Sequence, residues 1–154
     1  MTTKVVFAAI VMSMIVLGGC GMTVDEASVI ARCGAEMTAR MSVPEPLSVD
    51  AATKTLAVIE KVRPAIEGLG NDDDISVAIK PLIEELVSEA IEDEKAAGVA
   101  TRLIASGLSL GQAYLRRYPE LTTKTGNVAQ ITWAAMTGIH DGLTAAIREE
   151  REDE

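Results

Sequence analysis

Clusters of basic residues are missing from this 154-residue chain, which sets 14 Lys and Arg against 23 Asp and Glu for a formal net charge of −9. A protein that neutralises a phosphate backbone needs concentrated positive charge, so nucleic acid is not an expected partner. Aromatic residues are almost as scarce: Phe7, Tyr114, Tyr118 and Trp133 make up 3% of the chain. That argues against a stacking platform for bases and against a β-sandwich core, which relies on aromatic and β-branched packing. One histidine (His140) and two cysteines (Cys20 and Cys33) are too few for the usual zinc ligand sets or for a disulfide framework. No stretch alternates apolar and polar residues over a strand's length, no hairpin turn separates alternating runs, and no internal repeat is found. Neither a Gly-x-Ser-x-Gly elbow nor a His-Glu-x-x-His pair occurs. The run Asp72-Asp73-Asp74 lacks the alternating oxygen ligands and distal glutamate of a calcium loop. No catalytic residue, metal ligand or cofactor is therefore assigned.

What is there begins at the N-terminus. Lys4 is followed by the apolar run Val5 to Leu17, interrupted only by Ser13, and then by Leu17-Gly18-Gly19-Cys20. A charged start, an apolar middle and small residues ahead of a cut site form a secretory signal. An aliphatic residue, two small residues and a cysteine, in that order, resemble the lipobox of bacterial lipoproteins. The resemblance covers residues 1–22 alone. It implies that residues 1–19 are removed, that the Cys20 thiol receives a diacylglycerol and that the new amine is acylated. Gly21, rather than aspartate, follows Cys20, which by analogy with enteric lipoproteins favours sorting to the outer membrane, facing the periplasm. The competing reading is an uncleaved helix from Val5 to Met22, just long enough to span a bilayer. After cleavage, 135 residues remain, with 13 basic residues against 23 acidic ones.

The rest of the chain, 48% hydrophobic overall, reads as one all-α domain over residues 20–154, a bundle of four to five helices. Thr23-Val24-Asp25-Glu26 has the form of a capping box. Ala27, Ile30, Cys33, Met37 and Met41 then recur at helical spacing, so a first helix is expected from Val24 to Met41, with these residues facing the core. Pro44 and Pro46 end it. A second helix is capped by Ser48 or Asp50, carries Ala52, Leu56, Ile59, Ile66 and Leu69 on its apolar stripe, and is expected to kink near Glu60 to Arg63, in the turn before Pro64. A third starts either at Ile75, with Pro81 inside, or at Pro81 itself. Its pattern continues through Leu103 and Leu108 to Arg116, with a bend or a new start at Gly98. Asn127 to Gln130 has the form of another capping box, opening a helix to Glu149 with a charged tail over residues 149–154.

Three further features invite chemistry. Cys33, once Cys20 is lipidated, has no partner in its own chain. It is either a small buried hydrophobe or one half of an intermolecular disulfide in a homo-oligomer. His140 and Asp141 are consecutive on a helix and so point apart. Trp133, Met136, His140, Leu143 and Ile147 share one face, making His140 a packed histidine at the edge of the core. Gly107/Gly111 and Gly138/Gly142 are small-x-x-x-small pairs, expected to bring the last two long helices together or, in the alternative, to pair a membrane-active hairpin. The expectation that results is a lipid-anchored, non-catalytic interaction module of the bacterial envelope, a bacteriophage-encoded lipoprotein being one version. Its partners would be the membrane, through the acyl chains on Cys20, and an unidentified envelope protein. A binder of a small apolar ligand within the bundle is the alternative.

Overall fold

The computed structural model describes residues 22–43, 45–70, 75–123 and 126–152. Among them are five α-helices and no strand: α1 (Val24–Arg40), α2 (Val49–Glu67), α3 (Ile75–Ala90), α4 (Glu94–Arg117) and α5 (Asn127–Glu152). A short 3₁₀ turn, Pro119–Thr123, joins α4 to α5.

Local chemistry sets most of the boundaries. At the start of α1 the capping box is complete. The Glu26 amide donates to Thr23 Oγ1 at 3.2 Å, and the Thr23 amide donates back to Glu26 Oε2 at 2.8 Å. Ser48, not Asp50, caps α2. Pro64 lies in the last turn of α2 and Pro81 lies within α3, so of the two expected starts for the third helix it is Ile75 that stands. The helix expected to run on towards Arg116 is in fact two. Ile91 to Asp93 leave the helix, and Asp93 Oδ1 accepts from the Ala96 amide at 2.6 Å, so the new start falls at Glu94 rather than Gly98. Asn127 does not form a second capping box. It is the first residue of α5, and its Nδ2 donates to the Leu121 carbonyl at 2.6 Å, while the Gln130 side chain reaches Asp25 at 3.2 Å. The tail expected from Glu149 is helical to Glu152.

Partner numbering gives the directions. Along α1 and α5, Asp25 pairs with Gln130, Arg32 with Asp141 and Arg40 with Glu149. Both numbers rise together, so these helices run parallel. Glu60 and Arg63 of α2 approach His140 and Trp133 in the opposite sense, as do Gly107 and Gly111 of α4 with Ile139 and Thr132. α2 and α4 are therefore antiparallel to α5, and α3 returns the chain between them. With five helices alternating up and down, the first and last point the same way, and their contact closes the bundle.

The core is divided by side-chain size. Ile59, Ile66, Ile83, Ile104, Ile131, Met136, Ile139 and Leu143, all fully buried, fill the space among α2, α3, α4 and α5. From α1 only Ala27, Ala31, Ala35 and Ala39 are buried. These alanines, spaced four apart, are the inward stripe of α1. The bulkier set Ile30, Cys33, Met37 and Met41 is not: Cys33 and Met41 are exposed, and Ile30 and Met37 are half-buried.

Candidate functional site

The packing of α1 on α5 explains that reversal. Gly138 and Gly142, one turn apart on α5, face α1 rather than α4. A Cβ on Gly138 would lie 3.0 Å from the Ala35 methyl and would overlap the Arg32 carbonyl oxygen. A Cβ on Gly142 would lie 2.8 Å from the Ala39 methyl and would overlap the Glu36 carbonyl oxygen. Two helices can approach this closely only where both present residues with little or no side chain. Alanine on one side and glycine on the other meet that requirement, and isoleucine or methionine does not. Close approach also puts many atoms in van der Waals contact at once, which compensates for the small area each alanine buries. The other glycine pair works as expected: a Cβ on Gly111 would meet Thr132 Cα at 3.2 Å, and Gly107 faces Ile139 and Met136, so α4 does pack tightly on α5.

Cys20, the one residue assigned a modification, lies outside the described residues. Cys33 lies on the outer face of α1 and is exposed, which removes its reading as a buried hydrophobe. His140 is half-buried at the rim between α2 and α5. Its Nε2 lies 3.8 Å from Glu60 Oε1, and its Nδ1 lies 3.4 Å from Asp141 Oδ1. The two neighbours therefore do touch, contrary to their expected divergence. Asp141 is committed elsewhere: Arg32 Nη2 donates to it at 2.5 Å. Next to this group the Arg63 guanidinium stacks 4.9 Å above the centroid of half-buried Trp133. Arg63 Nε donates to Glu67 Oε1 at 2.7 Å, and this bond makes the guanidinium hold its proton more firmly than usual. The rim thus joins α1 to α5 through Arg32 and Asp141, sets His140 of α5 near Glu60 of α2, and holds Arg63 and Glu67 together within α2.

Sequence reasoning missed four buried hydroxyls, those of Ser28, Tyr114, Tyr118 and Thr132, none of which has a hydrogen-bond partner. Tyr114 and Tyr118 continue the α4 face that carries Gly107 and Gly111. Burial pushes the Tyr114 phenol above its ordinary pKa. An open cleft of about 410 Å³ lies where the start of α2 meets the α3–α4 junction, lined in part by Ser48, Asp50, Lys54, Glu92 and Asp93. Four of its polar groups are already engaged. Ser48 and Asp93 cap helices, and Lys54 pairs with Asp50 at 2.9 Å, which raises the lysine's pKa. Among the described residues no group of three His, Cys, Asp or Glu side chains gathers to hold a metal ion, and no helix is long and apolar enough to cross a membrane. Comparison with protein-family models, with curated proteins and with solved structures finds no match to this chain.

Proposed function

We propose that this chain is a lipid-anchored lipoprotein of the bacterial envelope, whose helical bundle is a non-catalytic interaction module held close to the membrane. The observation that carries the reading is Leu17-Gly18-Gly19-Cys20, standing between an uncharged apolar run and the start of a helix. The capping box at Thr23 supports it, because α1 begins at Val24. Gly21, Met22 and Thr23 can span only ~10 Å between the acylated cysteine and that helix. Each buried methylene of an acyl chain contributes ~0.8 kcal/mol, and two or more chains anchor stably. The module's action is then one of confinement: an acidic surface held in two dimensions meets envelope partners at raised effective concentration.

The test is the intact mass of membrane-extracted protein, wild type beside Cys20→Ser. The expected wild-type species begins at Cys20 and carries a diacylglyceryl and an acyl group, while Cys20→Ser keeps residues 1–19 and gains neither. A wild-type chain that retains Met1 and has no lipid adduct would overturn the reading.

A further inference from the structure

Basic residues that are dispersed along the sequence are collected on one face of α4. From Lys95 to Pro119 the chain has no acid, while it has Lys95, Arg102, Arg116 and Arg117. Lys95, Arg102, Ser109 and Arg116 recur every seven residues and so share one side of the helix. All four are exposed, and Gly107 and Gly111 on the opposite side meet α5. Cations on other helices are engaged: Arg32, Arg40, Lys54 and Arg63 all sit in ion pairs. Among the described residues, no acid lies within ion-pair distance of the four cations of α4, not even the exposed Glu84, Glu85 and Glu89 of neighbouring α3. The helix dipole accounts for Arg116 and Arg117 in the last turn. It does not account for Arg102 in mid-helix, and it disfavours Lys95 in the first turn. An open cleft of about 490 Å³, lined by Ser109, Gln112, Ala113, Arg116 and Arg117, lies on this side of α4. It stands at the end of the bundle where α1 begins, because α4 runs antiparallel to α1. Of the acids at that end, Asp25 bonds to Gln130, Glu26 to Thr23 and Glu67 to Arg63. Glu120 follows α4 in the 3₁₀ turn, and Asp72 to Asp74, between α2 and α3, lie outside the described residues.

We infer that the outer face of α4 is a docking surface for an anionic bilayer, with headgroup phosphates on Arg102, Arg116 and Arg117. The choice of a bilayer as partner rests on the lipid-anchor reading. The short tether from Cys20 to Val24 holds this end of the bundle at the membrane, which brings the cleft beside Arg116 and Arg117 to the headgroups. Unpaired cations on a chain of net charge −9 are complementary to lipid phosphate, whereas the rest of the surface is repelled by it. The side of α1 next to α4 adds apolar contact: Gly34 packs on Leu110, and half-buried Ile30 and Met37 lie one turn to either side of Gly34. Docking on this face lays the bundle down along α4 instead of leaving it upright on its tether.

The experiment uses the full chain as extracted from membranes, reconstituted into phosphatidylcholine or phosphatidylglycerol vesicles, with Cys33→Ser as background. A polarity-sensitive fluorophore is attached at Ser109→Cys on α4 or at Ala57→Cys on the exposed side of α2. The expected result is a Ser109 label shielded from an aqueous quencher in phosphatidylglycerol, and open to it in phosphatidylcholine and at high salt. The Ala57 label stays open throughout. Arg102→Gln, Arg116→Gln and Arg117→Gln each lower the docked-to-undocked ratio about fivefold. Lys61→Gln, which removes an exposed cation of α2, leaves it unchanged. A Ser109 label open in both lipids would overturn the proposal. So would one shielded equally in both, because charge would then not select the surface. A label open in phosphatidylglycerol yet covered in native membranes would also overturn it, and would give the face to an acidic protein. The intact mass of the same sample reads the acyl chains on Cys20 separately. A missing lipid adduct therefore sinks the anchor reading alone, while the label reports on α4 whichever way the chain is held in the vesicle.

Discussion

Gly138 lies so close under the Arg32 carbonyl that α5 has no room there for even a methyl group. The obstacle is backbone, which cannot swing aside as a side chain tip would. Gly138→Ala and Gly142→Ala are each expected to destabilise the bundle by about 3 kcal/mol, the upper range for overpacking. Gly98, in the second turn of α4, provides the contrast: its nearest neighbour would be Arg102 Nη2 at 3.8 Å, the end of a flexible side chain. Gly98→Ala is expected to stabilise by roughly 0.5–1 kcal/mol, from helix propensity alone. Urea denaturation of the three variants beside wild type checks both signs. If Gly138→Ala were neutral, the seam between α1 and α5 would be looser than described.

Tyr114 and Tyr118 bury hydroxyls that bond to nothing. Removing an unpartnered buried hydroxyl removes a desolvation cost of ~1–3 kcal/mol. Tyr114→Phe and Tyr118→Phe are therefore expected to raise the thermal midpoint or leave it unchanged, in contrast to the usual loss for a buried tyrosine. A clear fall in midpoint for both would mean that these hydroxyls are satisfied in solution.

Glu26 accepts from both the amide and the hydroxyl of Thr23, and these bonds hold its carboxyl below the ordinary glutamate value. A depressed folded pKa stabilises the folded state wherever the unfolded carboxyl is already ionised, and that contribution is lost as pH falls through the folded value. The stability gap between wild type and Glu26→Ala should therefore be widest at neutral pH and narrow as the solution is acidified below the ordinary glutamate range. Urea midpoints of the two proteins across that range decide it; a gap that widens in acid would contradict the capping geometry.

Much of this fold was legible in residue order. Thr23 and Glu26 marked the start of α1, the acid-rich α3 and basic end of α4 read as helix, and the apolar stripe of α2 is buried at Ala52, Ile59, Ile66 and Leu69. The inward face of α1 was misread for a physical reason. Hydrophobic periodicity weighs bulk, and Ile30, Met37 and Met41 outweigh four alanines. What decides the face is the distance between helix axes, which depends on glycines about a hundred residues further along the chain. The break before α4 was hidden because Asp93 sits within the acids Glu84 to Glu94, where a capping carboxylate looks like one more solvated charge. The outward position of Cys33 follows from the same reversal, and so does the seating of Gly138 and Gly142 against α1 instead of α4.

The seam between α1 and α5 joins the first of the described helices in chain order to the last. Until α5 has been made, the alanines of α1 lack the Gly138 and Gly142 surface on which they settle. Contacts between distant parts of a chain form late and slowly. The seam thus forms only when α1 and α5 are both present, and the two ends of the bundle lock together in a single late step.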